Sequence, residues 1–147
     1  MKHITQTQKL SLQEVSQIVV HEIYQTYFTY GPGLFEKIYE ATLAGRLRDR
    51  GLRVERQKMI VVSNQYVREE IAFYADLIVE DQIIIELKSV EKLHPIAFTQ
   101  LRSYLKLTGI EVGLLVNFNC DILKKNIHRV VNNYDSHRHR INLQKTG

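Results

Sequence analysis

The stretch Ala75-Asp76-Leu77-Ile78-Val79-Glu80-Asp81-Gln82-Ile83-Ile84-Ile85-Glu86-Leu87-Lys88 is apolar almost throughout, yet it carries Asp76, Glu86 and Lys88. Two β-branched runs on either side of Glu80-Asp81 predict antiparallel strands joined by a tight turn. A run as continuously apolar as 82–90 predicts a central strand covered on both faces. Side chains alternate along a strand, so Glu86 and Lys88 point to one face, roughly 6.6 Å apart along the chain. With the turn centred on Asp81, Asp76 falls directly opposite Glu86. Two carboxylates and an ammonium then meet in one small area. A lone buried charge there costs several kcal/mol unless it is paired or bound to a metal.

Upstream, Ser11-Leu12-Gln13-Glu14 has the capping-box pattern, and Val15, Ile18, Val19 and Ile23 follow at helical spacing. These predict a helix from Leu12 to Phe28, stopped by Gly31-Pro32-Gly33. Tyr39, Leu43 and Leu47 predict a second helix from about Leu34, with Gly51 just past its end. The period then changes to that of strands over Val54 to Val62, Ile71 to Val79 and Gln82 to Lys88. Downstream, Pro95 opens a third helix that carries Ala97, Phe98, Leu101 and Leu105 and ends at Gly109. Val112 to Phe118 predicts a short buried strand, and Leu123 to Val131 a helical turn leading into a last strand. One α/β domain over 11–134 is expected, with flexible ends at 1–10 and 135–147.

With 147 residues, 44% hydrophobic and 24% charged, the composition is that of a globular chain with a real core, and a disordered or collagen-like chain is excluded. A single cysteine, Cys120, forms no internal disulfide and no thiolate zinc cluster. The apolar runs are too short to span a bilayer, and MKHITQTQKL lacks the apolar core of a signal peptide, so no membrane is expected and the location expected is cytoplasmic. The net charge is +4, and six basic residues fall between Arg46 and Lys58 against two acids. Arg46, Arg50, Arg53, Arg56 and Lys58 are therefore candidates for binding a nucleic-acid backbone, the alternative being a solvated helix end.

Asp76, Glu86 and the Leu87 carbonyl are hard oxygen donors suited to Mg2+ or Mn2+, which keep water and substrate phosphate oxygens as further ligands. Lys88 can orient a metal-bound water or stabilise developing charge. That set suits phosphodiester hydrolysis; a structural salt bridge of Lys88 with Glu86 or Asp76 is the competing reading. Glu36 and Glu40 share a face of the second helix, and Glu36 in its first turn also complements the helix dipole. Gln100 and Tyr104 are i, i+4 neighbours on the third helix, and the amide of Gln100 needs a partner if it is buried.

Gly33-Leu34-Phe35-Glu36-Lys37-Ile38-Tyr39 is a literal Gly-x-x-Glu-x-x-Tyr. Together with the Ala75-Asp76 strand, Ile85-Glu86-Leu87-Lys88, Gln100-x-x-x-Tyr104 and Gly113-Leu114-Leu115-Val116-Asn117-Phe118, it resembles the GxxExxY proteins of the PD-(D/E)XK nuclease superfamily over Ser11 to Asn132. The resemblance implies a restriction-endonuclease-like αβββαβ core with a mixed central sheet flanked by helices. It implies a Mg2+- or Mn2+-dependent nuclease, with DNA favoured over RNA as substrate; the alternative is a nucleic-acid-binding or assembly module that keeps the fold and cuts nothing. Asp76 stands at the first acidic position, with Ala75 replacing the proline that names the motif, and Glu86 and Lys88 at the (D/E)XK positions. Glu36 matches the helix glutamate that completes the metal site. Gln100 and Tyr104 resemble the Gln-x-x-x-Tyr motif of RecB-like nucleases, in which the glutamine sits beside the site and the tyrosine helps bind DNA. Lys125-Asn126 replaces a glycine turn, which an asparagine can still form in the left-handed conformation. A core this small has no separate recognition domain, so a homodimer or another partner is a further expectation.

Overall fold

Ser11 opens the first helix as its spacing predicts. Its Oγ accepts from the Glu14 N–H at 3.2 Å, and Glu14 Oε2 accepts from the Ser11 N–H at 2.8 Å, which satisfies two otherwise free donors of the first turn. In this computed structural model, which describes residues 8–132, that helix is α1 (Leu12–Tyr30), running past Phe28 to its stop at Gly31. The second, α2 (Glu36–Asp49), starts later than Leu34 because Phe35 takes the extended N-cap position. Strands β1 (Val54–Val62), β2 (Glu70–Val79) and β3 (Ile83–Lys88) follow, then α3 (Pro95–Thr108), β4 (Val112–Asn117), one 3-10 turn at Leu123–Asn126 and β5 (Ile127–Val131). Gln82 belongs to the turn before β3, its N–H donating to Val79 O at 2.9 Å. Asn126 does not take the left-handed conformation; no positive φ occurs at Lys125 or Asn126. The Asn126 amide instead donates back to Ile122 O at 2.9 Å. The tail 135–147, with His137 and His139, and residues 1–7 lie outside the described residues; Leu10 is held by Gln82, whose Nε2 donates to its carbonyl at 3.1 Å.

The strands form one five-stranded sheet in the order β1-β2-β3-β4-β5. Neighbours are antiparallel except β3 and β4, which run parallel with α3 as their crossover. That crossover follows from geometry, since a parallel pair cannot be closed by a tight turn. The sheet is mixed, as the resemblance implies.

α1 and α2 cover one face, burying Val15, Val19, Ile23, Tyr39 and Leu43 against Leu77, Ile83, Ile85 and Leu87. α3 covers the other, burying Ala97, Leu101 and Leu105 against Ala75, Ile84, Leu115 and Val130. Both faces of β3 are therefore occupied, which is why its sequence is apolar without alternation. α3 lies so close to β4 that a Cβ on Gly113 would meet Leu101 Cδ1 at 2.8 Å. At the far side β1 and β2 run on as a hairpin well past β3, whose pairing with β2 covers only Leu77 to Val79. Met59, Val61, Ile71 and Tyr74 on that extension are exposed.

Candidate active site

Val79 and Ile83 close the β2–β3 turn, and pairing proceeds through Ile78–Ile84 to Leu77–Ile85. Glu80 and Asp81 both take left-handed φ of 52° in that turn. One step further the ladder ends, and side chains replace it. The Asp76 N–H donates to Glu86 Oε1 at 3.2 Å, and Asp76 Oδ2 accepts from the Leu87 N–H at 2.9 Å. Asp76 therefore faces Glu86 as the register predicts, at a seam where the two strands part. The pleat slips at the same point. Ala75 and Ile78 pack under α3 while Leu77 packs under α1 and α2, whereas in an unbroken strand residues 75 and 77 would share a face. A residue's N–H and C=O point to the same side of a strand, so the Leu87 carbonyl also looks into the seam.

The two carboxylates are electrostatically uncomfortable together. Glu86 is pushed up from 4.5 to about 8, first by burial and then by the charge of Asp76, with Lys88 pulling it down less strongly. Among the described residues Lys88 forms no ion pair with either acid, so the structural salt bridge is not built. Tyr104 stacks on Phe73, with ring centroids 3.7 Å apart. Its hydroxyl pKa is raised by burial and then by the charges of Glu86 and Asp76. Gln100, by contrast, is exposed on α3. Ala97, Leu101 and Leu105 form the buried face of that helix, and Gln100 lies off it.

The Gly-x-x-Glu-x-x-Tyr segment lies at the exit of β3. Tyr39 is fully buried, stacks on Phe118 at 4.3 Å, donates its hydroxyl to Gly31 O at 2.6 Å and accepts from the Leu34 N–H at 3.1 Å. It thereby pins the loop from Gly31 to Leu34. Ser89, which follows Lys88, donates its hydroxyl to Leu34 O at 2.6 Å and its N–H to Glu36 Oε1 at 3.4 Å. Glu36 is thus bound to the backbone beyond the seam and forms no three-acid group with Asp76 and Glu86. Asn117, buried at the end of β4, holds Val90 by its N–H at 3.1 Å and its carbonyl at 2.8 Å, fixing the same exit from the other side.

The helix glutamate that does reach Asp76 is Glu40, through Gln57. Gln57 Nε2 donates to Glu40 Oε1 at 2.6 Å and to Asp76 Oδ1 at 3.0 Å. Sequence reasoning noted that Glu40 shares a face with Glu36, but nothing marked Gln57.

The sequence model that matches this chain is that of the PD-(D/E)XK nuclease superfamily, over residues 13–130. The chain belongs to that superfamily. Comparison with curated proteins and with solved structures gave no match. Among the described residues no helix is long and apolar enough to cross a membrane.

PD-(D/E)XK nucleases typically use divalent metals. Among the described residues no three His, Cys, Asp or Glu side chains are grouped to hold one. Asp76, Glu86 and the Leu87 carbonyl still fit a hard cation that draws its remaining ligands from water and phosphate. The like-charged pair, with Glu86 raised to about 8, is the kind of site a cation relieves. The basic residues do not form an open patch. Arg46 and Arg50 both hold the buried Glu22, Arg56 holds the buried Glu40, Arg53 pairs with Asp81, and Lys58 pairs with Glu55.

Proposed function

We propose that this protein is a metal-dependent nuclease that hydrolyses phosphodiester bonds, with DNA rather than RNA as its substrate, as its GxxExxY motif set implies. The observation that carries the reading is the seam at which Asp76 and Glu86 meet with no basic partner bonded to either among the described residues. Asp76, Glu86 and the Leu87 carbonyl would hold Mg2+ or Mn2+, which supplies an activated water and neutralises charge on phosphorus. Lys88 presents its ammonium on the Glu86 side of β3, where it can hold a phosphate oxygen and stabilise charge gained in the transition state. Glu36 orders the exit of β3 through Ser89, and Tyr104 packs from α3 against Phe73 of β2. Among the basic residues Arg53 and Lys58 hold only surface pairs, which a phosphate displaces at little cost. Arg46, Arg50 and Arg56 stay with their buried acids.

Incubating the purified protein with single- and double-stranded DNA and RNA under Mg2+ or Mn2+ tests this. Cleavage of DNA that disappears in Lys88→Ala is the expected result. No cleavage of any substrate would leave the reading without its activity. A binding module that cuts nothing is the second reading, favoured by the N–H donors already bonded to both Asp76 oxygens. Calorimetry separates the two, since the nuclease binds Mn2+ and loses that heat in Asp76→Ala.

A further inference from the structure

We propose that Gln57 is a positioning residue that fixes the plane of the Asp76 carboxylate by tethering it to the buried Glu40. The activity arm of this inference rests on the nuclease reading; the tether itself does not.

A single amide nitrogen serves both acids, donating to Glu40 at 2.6 Å and to Asp76 at 3.0 Å. Its anchor is firm. Glu40 is 6% exposed, and its other oxygen accepts from Arg56 Nη2 at 3.0 Å and Nε at 3.3 Å. Arg56 and Gln57 are neighbours on β1, and neighbours on a flat strand point to opposite faces. Here both reach the same carboxylate. The backbone permits this at Gln57, whose φ of 47° lies in the left-handed region that a non-glycine residue rarely adopts. The pairing keeps its register on either side of Gln57, with Arg56 opposite Leu77 and Lys58 opposite Ala75, and shifts further out between Ile60 and Val61. The break falls at the one residue opposite Asp76.

The consequence lies in the Asp76 side chain. The terminal torsion of an aspartate is soft, so one hydrogen bond leaves the carboxylate free to pivot. Two bonds to different oxygens stop it. The Leu87 N–H holds Oδ2 at 2.9 Å, and Gln57 holds Oδ1 at 3.0 Å. A metal-binding oxygen held to a fraction of an ångström keeps its geometry without reorganisation at the moment of reaction.

Because Gln57 is exposed, it can be replaced without opening the core. Gln57→Ala removes the amide, and Gln57→Gly removes it while relieving the left-handed φ. Hydrogen exchange of the Leu87 amide is read in metal-free protein, alongside the affinity for Mn2+ and kcat and KM on DNA. Both variants are expected to melt close to wild type, with Gln57→Gly the more stable of the two. Leu87 protection should fall about tenfold while Ile84 and Ile85 stay protected, and Mn2+ affinity and kcat should each fall about tenfold at unchanged KM. Unchanged Leu87 protection in both variants overturns the tether, as does loss of protection along the whole of β3, which would make Gln57 a structural residue. If wild type cuts no nucleic acid, the nuclease reading fails while the Leu87 amide still decides the tether.

Discussion

Two carboxylates sit inside this molecule under opposite terms. Glu22, on α1, is 4% exposed and is bonded by Arg46 Nε at 2.6 Å and Arg50 Nη1 at 2.9 Å. Burial alone would push its pKa up, but the two guanidinium groups bring it below 4.5. Glu86, on β3, is also mostly withdrawn from water, but the charge that acts on it most strongly is that of another acid, and it rises to about 8. One acid is fully neutralised by residues brought for that purpose and ties α1 to α2. The other is kept short of positive charge. A fold that can supply two arginines to one acid and none to another has left the second available to something else, which is the pattern expected of a site.

The comparison breaks first at activity. Replacing Glu86 by Gln or Lys88 by Ala should lower DNA cleavage about 1000-fold, roughly 4 kcal/mol of transition-state stabilisation, in a gel or fluorescence assay. The same substitution at Glu22 should leave cleavage per folded molecule unchanged. Removing both guanidinium groups of the Glu22 cluster, Arg46→Ala with Arg50→Ala, should cost about 1–3 kcal/mol in urea denaturation, reduced from the fully buried case because both arginines are partly exposed.

The pH profile of stability sharpens the contrast, because the two acids act in opposite directions. The folded form keeps a proton on Glu86 between pH 4.5 and about 8 that the unfolded chain has lost, so stability falls as pH rises through that window. Glu86→Gln should flatten this limb in urea midpoints measured with chelator present. Glu22 stabilises above pH 4.5, and its contribution is lost on acidification through its depressed pKa. The smallest effect is expected at the exposed Arg53–Asp81 pair, where Arg53→Ala should shift stability by less than about 0.5 kcal/mol.

The encounter of Asp76 with Glu86 was legible because a tight turn fixes register and register fixes which residues meet. The strands and helices were legible from period and caps, with ends displaced where Phe35 or Gln82 joined a cap or turn. The partners of the basic residues were not. Arg46 and Arg50 read as a cluster of free charge, and only the crossing of α1 with α2 assigns them to Glu22. Helical spacing put Glu36 and Glu40 on one face but could not say which would be drawn inward. Gln57 was beyond reach, since one left-handed residue inside a β-branched run leaves no mark on the pattern around it. Gln100 is exposed on α3, the outcome its apolar neighbours could not decide, because the apolar stripe of the helix passes beside it.

The long hairpin of β1 and β2 has a practical corollary. Its outer strand ends the sheet with unpaired backbone donors and acceptors, guarded near the core by Glu55, Arg56 and Lys58 but bare of charge from Met59 to Val62. Strands of that kind recruit one another at high concentration. A lysine in place of Val61, which is exposed and pairs with Ile71 on the outer part of the hairpin, should keep concentrated samples monodisperse in light scattering and leave the chemistry alone.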